Sequence, residues 1–208
     1  LALEPGIAGL CEQALQRCEG EGAHIEALMK PGFDANAVWQ AWLVWRRALV
    51  APRIAPLLQR DAAAREQIKP EALWEHDQAQ GTNVMELMRA SEVRSTFLQQ
   101  MLALFEHADV LALPTTQVWP FAIGERWPAQ IAGRTMDTYH RWMECTPYAT
   151  FAGLPAISVP AGSHENGRWP GGLQLIGPPR GDAALLRIAS VYECTIGELK
   201  ARRPHEPA

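Results

Sequence analysis

The 208-residue sequence is poor in lysine, in serine and in long apolar runs. No stretch approaches the roughly 18 consecutive apolar residues that a membrane-spanning helix requires. The first residues also lack a basic segment followed by an apolar run and a small-residue cleavage site. From these observations we expect no membrane partner and a cytoplasmic location.

The sequence also lacks a basic excess, a cysteine framework and spaced metal ligands. Its net charge of −4 and pI near 5.9 provide no electrostatic argument for nucleic-acid binding. The cysteines are too few and too spread for a disulfide scaffold. No His-x-x-x-His pair, Cys-x-x-Cys pair or Gly-rich phosphate loop occurs, so we expect no metal and no cofactor. An acidic cluster with one histidine is expected on a solvated helix face: Glu71, Glu75, His76 and Asp77.

What is present in the first half is mostly helical periodicity. Helices are predicted over 5–18, from the N-cap Asp34 to about Val50, and over 83–107. The intervening prolines, Pro52 among them, predict short helical pieces between 51 and 81. A weak strand signal covers 24–28. The apolar positions expected to be buried in the third helix are Met85, Met88, Val93, Phe97, Met101, Leu104 and Phe105.

The second half contains short apolar runs at 110–113, 156–159 and 173–176, which fit strands of a parallel or mixed sheet. A last helix capped by Asp182 follows, with Leu185, Ile188, Ala189 and Tyr192 on one face. Residues 114–145 show no element and form a long connection. The predicted fold class is α/β: a mainly helical segment over 1–107, then a mixed sheet flanked by helices over 108–208.

Four segments of the second half carry recognisable motifs in order. They are Ala108-Asp-Val-Leu-Ala-Leu-Pro-Thr-Thr116, Thr146-Pro-Tyr-Ala-Thr-Phe-Ala-Gly-Leu-Pro-Ala-Ile-Ser-Val-Pro-Ala-Gly162, Trp169-Pro-Gly-Gly-Leu-Gln-Leu-Ile-Gly-Pro178 and Gly181-Asp-Ala-Ala-Leu-Leu186. Together they resemble the C-terminal region of the amidase signature family. The resemblance implies that family's α/β/α fold and hydrolysis of carboxamide C–N bonds. One departure is Thr150, which stands where the family often has Asn.

The family's chemistry, as the resemblance implies it, uses a serine nucleophile, a second serine that relays the proton and a lysine base. A serine hydroxyl needs such a neighbouring base to become nucleophilic. The serines here are Ser91, Ser95, Ser158, Ser163 and Ser190, and none lies in a Gly-Gly-Ser or Gly-x-Ser-x-Gly setting. The lysines are Lys30, Lys69 and Lys200. We therefore expect the C-terminal part of an amidase without its catalytic core, inactive alone and with no catalytic residue in this chain.

A cysteine nucleophile is a weaker alternative. Cys145 follows His140 and Asp137 closely, but the partners of a cysteine hydrolase meet in space, so local spacing predicts little. Packing roles are the simpler interpretation of all three residues.

The resemblance implies a small-molecule amide as the partner of the whole enzyme. The proposed substrate-binding wall residues are Thr115, Trp119, Tyr148 and Thr150, because they follow a strand end or precede the Gly-Leu-Pro turn. Packing or capping is the competing interpretation of each. A second function stays open, a non-catalytic binding or assembly domain derived from an amidase. Because a sheet cut from a larger one exposes an edge, we also expect the isolated chain to self-associate.

Overall fold

A computed structural model describes residues 1–60 and 63–201. In chain order its helices are α1 (Ile7–Gly20), α2 (Ala35–Arg60), α3 (Ala64–Gln67), α4 (Pro70–Ala79), α5 (Val84–Leu104), α6 (Pro147–Ala152), α7 (Asp182–Thr195) and α8 (Gly197–Ala201). The strands are β1 (Leu111–Pro114), β2 (Gln130–Ile131), β3 (Arg134–Thr135), β4 (Ala156–Ser163) and β5 (Pro170–Ile176), with a 3₁₀ turn at Arg141–Met143.

The backbone divides into two units. One is Lys30–Ala103, and the other joins Leu1–Met29 to the chain from Leu104 onward. The sequence-based division at residue 107 differs from this grouping because it leaves α1 with the helical half, whereas α1 packs on the sheet. The division into segments 1–107 and 108–208 stays a prediction.

In the helical unit, α2 begins where the sequence predicts. The Asp34 carboxylate accepts the backbone N–H groups of Asn36 and Ala37 at 2.9 and 3.1 Å. The prediction that prolines end this helix near Val50 is wrong, since Pro52 and Pro56 both lie inside α2. Each proline removes one N–H donor, but the remaining turns stay hydrogen-bonded and α2 packs along α4. Pro70 behaves as expected, at the first position of α4.

Contacts between α2 and α4 correct the expectation of a solvated acidic face. Glu75 is 1% exposed and pairs with Arg46 of α2. The guanidinium of Arg47 lies over the Trp74 ring, 5.1 Å from its centroid. Within the acidic cluster only Glu75 is buried, paired with the partly exposed Arg46 at the helix interface, whereas Asp77 is exposed as expected.

Helix α5 begins after Asn83, whose side-chain oxygen accepts the Glu86 N–H at 2.9 Å. Burial of Phe97 and Met101 is confirmed. Burial of Met85 and Met88 is wrong: their exposed fractions are 61% and 53%. The N-terminal half of α5 thus shows an apolar surface in this unit.

In the other unit, the sheet has the order β1-β5-β4, and both pairings are antiparallel. The predicted α/β class is confirmed, since helices pack on a small sheet, but the expected parallel or mixed pairing is wrong for these three strands. Strands β4 and β5 form a hairpin joined at residues 164–169, and β1 also runs antiparallel to β5. The strands are also longer than predicted at β4 and β5. No strand forms at 24–28.

The sheet buries one face under α1 and α7. Their shared core consists of Cys11, Ala14, Val159, Ala161, Leu173, Leu175, Leu185, Ala189, Tyr192 and Ile196. Leu10 of α1 comes so close to Gly171 that an added Cβ would lie 2.3 Å from its Cδ2 atom. Of the four residues placed on one face of α7, Leu185, Ala189 and Tyr192 are buried, whereas Ile188 is 38% exposed. The prediction that Asp182 caps this helix is wrong, since Gly181 is the N-cap and Asp182 is the first helical residue.

Residues 115–146, here called the cap segment, are structured where the sequence predicts only a connection. Strands β2 and β3 form a hairpin whose turn residues Ala132 and Gly133 have φ values of 48° and 80°. A small core of Val118, Ile131 and Met136 supports it, with Trp142 packed alongside. The aromatic and β-branched residues of the segment thus bury one another.

Among the helices in the described part of the chain, none is both long and apolar enough to cross a membrane.

Candidate functional site

Two hydroxyl groups meet on the face of the sheet opposite the core. Thr115 follows the end of β1, and its backbone N–H donates to the Gly172 carbonyl at 2.9 Å. Ser158 lies in β4 opposite Gln174 of β5. The Oγ1 of Thr115 and the Oγ of Ser158 are 2.8 Å apart and exposed. This hydroxyl pair therefore links the two outer strands across β5.

Gly172 explains why the two hydroxyls can meet. A Cβ at this position would lie 2.7 Å from the Thr115 Oγ1 and 3.0 Å from the Ser158 Oγ. Any side chain at residue 172 would therefore separate them. The glycine leaves a shallow polar spot on the sheet face.

The end of the cap segment closes over the neighbouring part of this face. The Cys145 thiol donates to the Thr115 carbonyl at 3.4 Å, and the Gln174 amide donates to the Cys145 carbonyl at 3.5 Å. Burial raises the pKa of the Cys145 thiol to about 12. A nucleophilic cysteine must be a thiolate, so these contacts oppose the cysteine-hydrolase alternative. Cys145 instead fastens the cap segment to the sheet.

A polar cluster of Arg134, Asp137, Arg141 and Glu144 stands beside this junction. Glu144 is buried, with its side chain 5% exposed. Its Oε2 accepts from Nη1 of Arg134 at 2.9 Å, and its Oε1 accepts from Nη1 of Arg141 at 3.2 Å. One carboxylate thus joins the β3 strand to the 3₁₀ turn.

Arg141 also holds Asp137 through two parallel hydrogen bonds. Its Nε and Nη2 atoms each donate to an Asp137 oxygen at 2.9 Å. Hydrogen bonding from Arg141 lowers the pKa of the Asp137 carboxyl, and the nearby guanidinium charges add to that effect. Paired in this way, Arg141 is buried without an unmatched charge.

Tyr148, an expected wall residue, lies next to the polar cluster at the start of α6. Burial, helped by the negative charge of Glu144, raises the pKa of its hydroxyl to about 12. The Arg134 and Arg141 charges act in the opposite direction. The phenol is therefore protonated at neutral pH and can donate a hydrogen bond.

Trp119 occupies a packed position. Its indole Nε1 donates to the Pro5 carbonyl at 3.0 Å, and its backbone N–H donates to a Glu4 carboxylate oxygen at 2.6 Å. It also lines a crevice beside Leu10 and Gly171 that encloses about 10 Å³, enough for at most one water. These contacts favour packing as the role of this side chain.

Thr150 is exposed on α6, a short helix that ends at Gly153. Gly153 has φ 74°, and its N–H donates to the Thr150 carbonyl at 3.2 Å. The Gly-Leu-Pro turn then leads into β4 as the motif predicts. Of the four expected wall residues, Thr115 hydrogen-bonds to Cys145 and Tyr148 lies within electrostatic reach of Glu144. Trp119 instead contacts Glu4 and Pro5, and Thr150 is exposed on α6.

The serines and lysines are dispersed. Ser91 and Ser95 donate to carbonyls one turn earlier in α5, at 2.7 and 3.0 Å. Lys30 and Lys69 are exposed and belong to the helical unit, whereas the Lys200 side chain lies outside the described residues. Ser158 is the serine that adjoins the candidate site.

The sequence reasoning missed Ser158 and the polar cluster. The spacing of Asp137, Arg141 and Glu144 carried a signal, because ion pairs at i,i+3 and i,i+4 meet on one side of a helical turn. Nothing in the sequence indicated that Arg134 would join them. Within residues 1–60 and 63–201, no group of acidic, histidine or cysteine side chains is arranged to hold a metal ion.

Comparisons with curated proteins give partial relatives. A glutamyl-tRNA(Gln) amidotransferase subunit from Dehalococcoides mccartyi is 39% identical over 107 residues, 51% of this chain and 20% of that protein. The 2-amino-5-chloromuconic acid deaminase of Comamonas testosteroni is 29% identical over 202 residues, 94% of this chain and 41% of that protein. The chain thus spans less than half the length of the curated relatives it matches.

Solved structures share the fold. A bacterial aryl acylamidase of the amidase signature family has a TM-score of 0.79 at 22% identity, covering 99% of this chain and 44% of that protein. A 6-aminohexanoate cyclic dimer hydrolase has a TM-score of 0.80 at 20% identity, with the same coverage. The family model described as Amidase matches residues 2–186. The chain therefore belongs to the amidase signature family.

Proposed function

We propose that this chain is the C-terminal part of an amidase that hydrolyses carboxamide C–N bonds of a small-molecule substrate. The family match over residues 2–186 carries this proposal. The related proteins support it, since their names are those of an acylamidase, a hydrolase, a deaminase and one component of an amidotransferase. The chain covers less than half of each of these proteins, which supports placing the reactive centre on polypeptide outside this sequence.

In this proposal the chain supplies sheet strands and one wall of the acyl pocket. Thr115 and Tyr148 are the stronger wall candidates, because both present hydroxyl groups next to the junction of cap segment and sheet. Trp119 and Thr150 remain wall candidates with less support. The cap segment would stand near the mouth of the pocket.

The Ser-Ser-Lys machinery is proposed to be missing from this chain. Ser91 and Ser95 are engaged with helix carbonyls, and Ser158 pairs with Thr115, which supports that proposal. An assay of the purified chain with simple aliphatic and aryl amides tests it, and no ammonia or amine release is expected. Turnover that disappears on replacing one of the five serines would overturn it.

The wall role has a separate test in the parent enzyme. There, Thr115→Val should lower kcat/KM for the amide substrate about tenfold, as expected when a hydrogen bond between the Thr115 hydroxyl and the substrate is lost. Thr96→Val on α5 is the control, because Thr96 is an exposed threonine that lies in the other unit. Equal effects of the two changes would contradict a wall role for Thr115.

The parent reading frame distinguishes the two functions left open by the sequence. A lysine and a Gly-Ser-Ser-rich segment encoded upstream of Leu1 support the enzyme, while a start codon directly before Leu1 supports a separate binding or assembly domain. The cytoplasmic location stays a prediction.

We also propose self-association of the isolated chain. In the described sheet β1 and β4 are the edge strands, and each pairs with β5 along one edge and leaves its other edge unpaired. Sedimentation as a clean monomer would contradict that last proposal.

A further inference from the structure

Arg134 is the one arginine of the polar cluster with unused hydrogen-bonding capacity on its exposed side. Its side chain is 43% exposed, whereas that of Arg141 is 5% exposed. Among the described residues Glu144 accepts one N–H of Arg134, at 2.9 Å. A guanidinium presents several further donors in a planar fork. Because the side chain is 43% exposed, a ligand can approach those donors.

The position of Arg134 is fixed from both ends. Its backbone lies in β3, held in a hairpin by the Ala132-Gly133 turn and by buried Ile131 on the opposite strand. Its guanidinium is held by Glu144, which Arg141 fixes in turn. An arginine oriented in advance by a buried carboxylate loses little entropy when it binds an anion.

The charges of the cluster leave Arg134 as the group that an anion would meet. Asp137 is exposed, but both its oxygens are engaged by the Arg141 fork. Glu144 is buried and shared between the two guanidinium groups. The protonated Tyr148 hydroxyl lies within electrostatic reach of Arg134, next to the expected pocket wall.

We propose that Arg134 binds a carboxylate carried by the substrate, so that the enzyme acts on amides that also bear an acidic group. This inference rests on the proposed amidase function, which it narrows to a substrate class. The planar fork of arginine matches a carboxylate with two parallel hydrogen bonds. Arg134 of the cap segment would then bind the carboxylate of the substrate, while the amide group lies toward Thr115.

Binding to the purified chain tests the inference without requiring catalysis. Succinamate, which has one amide and one carboxylate, should bind about tenfold more tightly than neutral succinamide in an NMR titration. Arg134→Gln should abolish that preference. Arg134→Lys should retain part of it, because lysine keeps the charge but loses the fork.

The control is Arg187→Gln, since Arg187 is an exposed arginine on α7 of the same unit. Equal affinity for the two compounds, absence of saturable succinamate binding, or equal losses in Arg134→Gln and Arg187→Gln would each overturn the inference. Succinate serves to separate it from the proposed function. If succinate binds as tightly as succinamate and its binding depends on Arg134, the carboxylate site is supported. The same result would count against recognition of the amide group by the proposed wall residues.

Discussion

The hydroxyl oxygens of Thr115 and Ser158 lie 2.8 Å apart across β5, above the backbone of Gly172. The contact connects residues 43 positions apart in the chain. It also joins the first residue of the cap segment, which follows β1, to β4, which follows α6. The stability of this sheet face should therefore depend on the absence of a side chain at residue 172.

Gly172→Ala should destabilise the chain by about 1–3 kcal/mol, the usual cost of forcing an extra methyl group into a packed contact. The added Cβ would come within 3.0 Å of both hydroxyl oxygens. Urea unfolding followed by circular dichroism measures the change. Gly9→Ala is the control, because nothing lies within 4 Å of a Cβ at Gly9 and alanine favours its helix. A stabilised Gly172→Ala variant would contradict the interpretation.

The β2–β3 turn offers a stabilising change. Ala132 has φ 48° and is followed by Gly133 at φ 80°, the pattern of a type I′ turn, which prefers Asn-Gly. Ala132→Asn should therefore raise the free energy of unfolding by about 0.5–1 kcal/mol. Ala122→Asn, an exposed position in the same segment, should not. An unchanged midpoint for Ala132→Asn would show that the turn carries no strain.

Glu144→Gln should destabilise the chain by about 2–4 kcal/mol, because it leaves the buried Arg141 guanidinium with less compensating charge. The exposed Glu125→Gln serves as the control. Thermal unfolding of the two variants compares them directly. Equal melting temperatures would mean that the polar cluster contributes little to the fold.

The sequence indicated those elements whose signals are local. Asp34 and Asn83 cap α2 and α5 because their side chains reach N–H groups two or three residues away. Gly153 ends α6 where the motif places it, since its φ of 74° favours glycine. Capping and turn residues of this kind act without help from the rest of the fold.

The failures concern properties decided by packing between distant segments. Pro52 predicts a helix end, but α2 continues because α4 packs along it. Glu75 is expected to be solvated from the sequence and is buried because Arg46 pairs with it. The site shows the same limit, since Arg134 joins Glu144 only through the β2–β3 hairpin. Long-range partners of this kind leave no periodic signal in one sequence.

Stability should depend on pH through Asp137. Hydrogen bonding from Arg141 lowers the pKa of this carboxyl in the folded chain, so the ionised form stabilises the fold above the unfolded pKa of about 3.9. That contribution is lost as the pH falls through the lower folded pKa. Because the side chain is more than half exposed, the effect should stay below about 1 kcal/mol. Asp137→Asn should flatten the decline in urea stability between about pH 5 and about pH 3; an unaltered decline would contradict the pairing.

Cysteine reactivity separates a packed thiol from a nucleophile. Burial raises the pKa of Cys145 to about 12 and that of Cys11 to about 11, so both thiols stay protonated near neutral pH. Iodoacetamide at about pH 8 should therefore modify exposed Cys194 in the native chain and spare Cys145 and Cys11 until urea is added. Mass spectrometry of tryptic peptides locates the label, and Cys194→Ser should remove most of the native labelling. Rapid native alkylation of Cys145 would instead revive the cysteine-nucleophile alternative, because only an accessible thiolate reacts at that rate.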